Sequence, residues 1–459
     1  MQLDSSFKIA QLEAPLKRFW ELSAEKILRI EKSFNPAKGA PVFTEKGKYV
    51  TRGWTEWTQG FQYGSSLLQF DATGEEQFLQ IGRENTVRKM APHLTHTGVH
   101  DHGFNNVSTY GNLLRMLEEG KIEGSVWEKE FYRLAIKVSG SVQALRWTTI
   151  PGGGYMYSFN GPHSLFVDTI RTCRVLILSH GLGHVLQGEN DKRINLLHRA
   201  IQHLLSTVRF SIFYGKGRDR YDLAGRTAHE IIFNTNDGNY RCPNSQQGYT
   251  GFSTWTRGLA WAIAGLGETL EILDKIPESD YSEIISKEAL TAELSQAAIA
   301  TTEFYLANTP TDGIPYWDTG APNLHKMGDY LNRPSDPYNA HEPVDSSAAS
   351  IAAQGFFRIG NWLRTTDPKR SAKYIQVGGQ LAQRLFGEPY LSTDSAHQGM
   401  ILHSIYHQPN GWDYAPDPAL APHGESSMWG DYHARELALL LQRILRGEKY
   451  YSFYNCIAK

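Results

Sequence analysis

What this sequence has little of is cysteine, net charge and uninterrupted apolar length. Its three cysteines, Cys173, Cys242 and Cys456, are odd in number, far apart and without a CxxC pair, so they build neither a disulfide framework nor a thiolate zinc site. That usage fits a reducing compartment, the cytoplasm. Lysine plus arginine number 46 against 48 acids, a net charge of -2, which withholds the electrostatic handle of a nucleic-acid-binding or membrane-surface protein. No apolar run approaches a membrane span, and the opening residues MQLDSSFKIAQLEAPLKRFW carry acids where a secretory signal needs basic residues and an apolar core. Also missing are GxxxxGK[ST], HExxH and GxSxG, so nucleotide hydrolysis, zinc proteolysis and nucleophile-elbow chemistry lose their usual carriers. The partner implied is a small molecule, and neither nucleic acid nor a membrane.

What is present in quantity is aromatic. Rings make up 12% of the chain, with 11 Trp and 23 Tyr, the flat surfaces that a sugar-binding groove uses and that cores also use. Periodicity reads as a succession of helices near 7–32, 55–71, 75–91, 103–119, 125–145, 165–184, 190–211, 252–275, 283–307, 345–366, 369–387, 393–405 and 428–446. In SSAASIAAQGFFRIGNWL, Ala349, Ala352, Ala353 and Phe356 follow spacings of three and four, with Asp345 or Ser346 placed to cap. Apolar/polar alternation is hard to find, and no Ser- or Pro-rich linker divides the 459 residues. The expectation is an all-α chain, one catalytic domain over 1–459, with consecutive helical hairpins set in a toroid around one core.

Four loops, 147–164, 229–252, 309–323 and 406–424, mix Gly and Pro with Tyr, Trp, Asn, Gln and His, and are expected to form the rim of one cleft. Two aspartates stand in unusual company. Asp101 lies between two imidazoles in VHDHGF, where it could cap a helix, ligate a metal with His100 and His102, or act as a partner in acid/base catalysis. Asp168 follows Phe166 and Val167 and precedes Ile170; apolar neighbours raise a carboxyl pKa and make a proton donor, although a capping or buried-network role fits the same pattern.

Five blocks, WTQGF (57–61), HDHGF (100–104), QGYTGFSTWTRGLAW (247–261), VDSSAASIAAQG (344–355) and WGDYHARELAL (429–439), resemble in order and spacing the unsaturated glucuronyl hydrolases of glycoside hydrolase family 88, and those of the related family 105. The resemblance implies an (α/α)6 barrel and a hydrolase without cofactor or metal. Its substrates would be small unsaturated oligosaccharides left by polysaccharide lyases. The family hydrates the 4,5 double bond of the non-reducing-end sugar. Carried over by position, the proton donor is Asp168 and its partner Asp101. Trp57, His100, His229, Gln247, Arg257 and Trp261 would contact substrate, with Phe159 where the family often has Trp. Further departures are His102, Gln246, Arg171 and Arg174, and a longer 406–424 loop bearing His407, Trp412, Asp413 and His423, all expected to reshape the site. Two other readings stay open: the same aspartates inverting a saturated glycoside, which needs carboxyl groups roughly 6.5–9.5 Å apart, and a sugar-binding relative without turnover.

Overall fold

The computed structural model describes residues 1–53 and 56–457. Six helices form an inner ring: α2 (Gln59–Thr73), α4 (102–118, with Val107–Gly111 wound as a π turn), α6 (Thr169–Gly181), α8 (Thr256–Leu273), α10 (Ser346–Trp362) and α12 (Met428–Arg446). Each neighbours the next in chain order, and α12 returns to α2, so the ring closes. Outside it run α1 (Glu13–Ser33), α3 (Glu76–Lys89), α5 (Val126–Leu145), α7 (Leu196–Ser206), α9 (Lys287–Ala307) and α11 (Pro368–Leu385), packed on the inner helices. This is an (α/α)6 barrel. No helix among the described residues is long and apolar enough to cross a membrane.

The two rings differ in the way burial demands. α1 buries one stripe, Leu16, Phe19, Trp20, Ser23, Ile27 and Ile30 among it, and wets the rest. In α8 every residue but Glu271 is buried, because an inner helix has the core on one side and an outer helix on the other. Close packing of this kind needs small residues at the crossings. A Cβ on Gly60 would stand 2.2 Å from the Asn105 carbonyl oxygen, and one on Gly103 would stand 2.4 Å from the Thr172 Cα, so α2, α4 and α6 touch backbone to backbone.

Helix ends follow capping chemistry. The Asp345 carboxylate accepts the Ser347 N–H at 3.0 Å and starts α10. Two expectations need correction. Residues 393–405 form no helix: Lys26 of α1 donates to the carbonyls of Asp394 and His397, and Asp431 accepts the N–H groups of Met400 and Ile401. Backbone groups are thereby satisfied by long-range partners, which periodicity does not register. Nine short strands in four small antiparallel sheets also occur among the described residues, too brief for alternation to show. The expected segment 55–71 begins at a position outside the described residues; its helix proper starts at Gln59.

All five sequence blocks lie at the N-terminal ends of inner helices, and Asp168 immediately precedes a sixth, α6. One end of the barrel therefore gathers them.

Candidate active site

A cleft of about 320 Å³ opens at that end. Its walls include Trp57, His100, Asp101, Phe159, Asp168, Gln247, Arg257 and Trp261, eight of the nine positions expected from the sequence. The ninth, His229, is buried directly behind Asp168.

Local structure explains how two distant aspartates meet. Asp101 occupies the N-cap position of α4 without accepting a capping hydrogen bond through its side chain, so capping is not its role. Asp168 stands likewise before α6. The strand Ser164–Phe166 pairs with Glu230–Phe233, Phe166 opposite Glu230, and the Val167 N–H donates to the His229 carbonyl at 2.9 Å. That ladder sets Asp168 beside His229. The crossing at Gly103 and Thr172 brings α4 up to α6.

His100 joins the pair. Its Nε2 lies 3.1 Å from Asp168 Oδ2 and 3.9 Å from Asp101 Oδ1, and one ligand-type atom from each of the three residues falls within 4.8 Å of the others. Burial opposes an imidazolium here, but the two carboxylates outweigh it and raise the His100 pKa. Burial pushes Asp168 up too, yet the His100 hydrogen bond and charge, with a contribution from His229, hold it below the ordinary range. This corrects the expectation drawn from Phe166, Val167 and Ile170. Asp101 is the raised acid: burial dominates, Asp168 adds repulsion, and the carboxyl moves to about 6 despite His100. The pair thus carries one proton in the resting protein at pH values below about 6 and loses it as pH rises through that value.

His229 completes the group as a neutral donor. Its Nδ1 accepts the N–H groups of Gln246 and Gln247 at 3.0 and 3.2 Å, which places the proton on Nε2. That Nε2–H faces Asp168 Oδ1 at 3.9 Å, and neither atom has a hydrogen-bond partner among the described residues. Burial lowers the His229 pKa to about 3, so the ring stays uncharged at working pH.

The remaining walls are aromatic. Trp57 stacks on Trp429 at 5.2 Å, Trp261 packs against Phe104 at 4.7 Å, and Phe159 lies parallel to His100 at 6.0 Å. Arg257 reaches the cleft but is held by Asp345 at 2.7 Å, by Gln247 Oε1 at 3.0 Å and by the carbonyls of Ile405 and Tyr406. Sequence reasoning missed His96 as a lining residue; it does not stand out by type from the other histidines of the chain.

Several expected substrate contacts lie elsewhere. His102 is buried away from the cleft, its ring set between Ser139 Oγ at 3.0 Å and the His96 carbonyl at 2.9 Å. The metal reading with His100 and His102 falls with it, because the two rings diverge. Arg171 and Arg174 face the helix junction below the cleft, where Arg171 pairs with Glu268 at 2.9 Å and Glu436 at 2.8 Å. Loop 309–323 contributes no lining; its Asp318 instead accepts the Tyr249 N–H at 2.8 Å and braces the loop that carries Gln247. His423 is absent from the lining, while His407 and Trp412 belong to it.

No family model matches the chain. An unsaturated glucuronyl hydrolase of Bacillus sp. (strain GL1) is 27% identical over 407 residues, covering 88% of this chain and 90% of that protein. Another of that name, from Formosa agariphila, is 24% identical over 85% of this chain and 81% of its own. Among solved structures, the unsaturated glucuronyl hydrolase of Bacillus sp. GL1 superimposes with a TM-score of 0.68 at 24% identity, over 93% of this chain and 97% of that one. The resemblance carried by five short blocks extends over most of the chain.

Proposed function

We propose that this chain is an unsaturated uronyl hydrolase, which removes the 4,5-unsaturated uronic acid that polysaccharide lyases leave at the non-reducing end of an oligosaccharide. The observation that carries this reading is the joining of Asp101 and Asp168 through His100 at the buried end of an aromatic cleft.

The double bond of such a sugar is a vinyl ether. A proton delivered to carbon 4 leaves an oxocarbenium at carbon 5, water adds there, and the resulting hemiketal opens the ring and releases the next sugar. One proton must be given and one taken from water, which a carboxyl pair sharing a single proton does. Asp168 is the donor in this reading. An anionic uronate arriving beside it raises its pKa and draws the pair's proton from Asp101. His229 Nε2–H steadies the oxygen it faces, Gln247 contacts the substrate, and Trp57 and Trp261 bracket the ring. No cofactor is required, and His100, Asp101 and Asp168 serve as proton carriers. One carboxylate oxygen of Asp101 lies within 4.8 Å of one of Asp168, nearer than the roughly 6.5–9.5 Å that an inverting attack on a saturated glycoside needs. Residues 1–459 act as one catalytic domain in this reading, and scattered free thiols support a cytoplasmic location.

Incubation with lyase-generated disaccharides should abolish the ultraviolet absorbance of the double bond, and Asp168→Asn should stop that loss. Bleaching that continues in Asp168→Asn removes it as donor. Cleavage of saturated glycosides with no action on any unsaturated one overturns the reading.

A further inference from the structure

The long 406–424 loop forms one wall of the cleft and lies outside the five blocks. It is a built wall. The Asp413 carboxylate accepts the N–H groups of Tyr406 at 2.5 Å and His407 at 2.9 Å, folding the loop back on itself, while Arg257 takes the carbonyls of Ile405 and Tyr406. Trp412, next to Asp413, is thereby held against His407 at 4.9 Å and Tyr406 at 5.3 Å, with part of its surface open. Since Asp101 and Asp168 are buried while Trp412 and Gln246 are half-exposed, this wall stands at the mouth, where the sugar beyond the reacting ring must sit.

The chemistry of the mouth is neutral. His407 Nδ1 and Gln246 Oε1 are buried atoms lacking a hydrogen-bond partner among the described residues, and both residues line the cleft. Burial keeps the His407 ring uncharged, with a pKa near 4. Arg257 is the one lysine or arginine among the described lining residues, and both of its terminal nitrogens donate within the chain, to Asp345, Gln247 and two carbonyls. Arg52 touches the Trp412 carbonyl from outside the lining, paired with Glu45 at 3.2 Å. Hydroxyl and amide groups match two neutral, unpaired atoms and an aromatic face; a sulfate would be desolvated without a cation to receive it.

We propose, resting on the hydrolase reading above, that His407, Trp412 and Gln246 form the aglycone subsite and select a neutral, unsulfated sugar stacked on Trp412. Trp412 and His407 are binding residues in this scheme and leave the proton transfer to the aspartates.

Two measurements test it. In turnover, the wild-type protein should prefer the unsulfated unsaturated disaccharide over its sulfated counterpart by tenfold or more in kcat/KM. Trp412→Ala should raise KM roughly tenfold, the scale of an aromatic stacking contact, with kcat nearly kept, and Trp412→Phe should recover most of the loss. In binding, calorimetric titration of Asp101→Asn and of Asp101→Asn/Trp412→Ala with both disaccharides reads the subsite whether or not turnover occurs. Equal or tighter binding of the sulfated sugar, no binding of the neutral one, or unchanged affinity without Trp412 overturns the subsite. Trp412-dependent binding of the neutral disaccharide with no turnover in the wild type leaves the subsite standing and sinks the hydrolase reading instead.

Discussion

Gly103 and Thr172 meet without side-chain separation: a Cβ on Gly103 would lie 2.4 Å from both the Cα and the carbonyl oxygen of Thr172. Asp101 sits two residues before the first and Asp168 four before the second, so this backbone contact sets the spacing of the carboxyl pair.

Gly103→Ala forces α4 and α6 apart. Overpacking against backbone has no flexible neighbour to absorb it, and the expected cost is about 3 kcal/mol of stability. Activity should fall further than unfolding explains, measured at a temperature where the variant is still folded by circular dichroism. A variant with wild-type melting and wild-type rate would show that the carboxyl spacing does not depend on this crossing.

The carboxyl pair sets a pH profile. Asp101, raised to about 6, loses its proton as pH rises through that value, so kcat/KM should decline above about pH 6, while the depressed Asp168 pushes the acid limb below the ordinary carboxylate range. Asp101→Asn should lower kcat by roughly 10²–10⁴ and abolish the limb near 6. Retention of that limb in the variant would assign it to another group.

The five blocks made the barrel legible because they are the helix starts and crossing points. Gly60, Gly103 and Gly355 are each placed where a Cβ would meet a neighbouring helix backbone, so the same short motifs encode packing and site at once. Other details were not local. That Asp168 lies below the ordinary range comes from His100, distant in sequence, and no run of neighbours around Asp168 reveals it. His102 looked like a substrate contact because it adjoins Asp101, yet one step along a helix turns a side chain by about 100° and sends it to Ser139. The 393–405 segment misled for the same reason: its partners are Lys26 and Asp431.

Acid should unfold the protein through histidines before most carboxylates titrate. Burial keeps His203, His229 and His433 neutral, each with a pKa near 3, whereas the unfolded chain binds protons at these rings below about 6.5. The folded pKa values are depressed, so this contribution is present above about 6.5 and is lost as pH falls. Each ring then costs up to about 1.4 kcal/mol per pH unit. Urea midpoints at pH 7, 6 and 5 should fall steadily, and a flat series would contradict the neutral, buried assignment.

Chelation should have no effect. The His100 Nε2 that could ligate a cation is engaged with Asp168 Oδ2 at 3.1 Å. Turnover of an unsaturated disaccharide should survive dialysis against EDTA unchanged; a loss restored by a divalent cation would turn the same three residues into a metal centre.

The stacking of Trp57 on Trp429 bears on how the molecule is made. One ring enters the chain early and the other near its end, and α12, which carries Trp429, closes the barrel onto α2. A ribosome therefore releases both aspartates, and five of the six inner helices, well before the cleft has its last wall. Until α12 emerges, the sides of α2 and α10 that it covers stay open. The wall that encloses the carboxyl pair therefore forms only after the helix bearing Trp429 has been made and docked on α2 and α10.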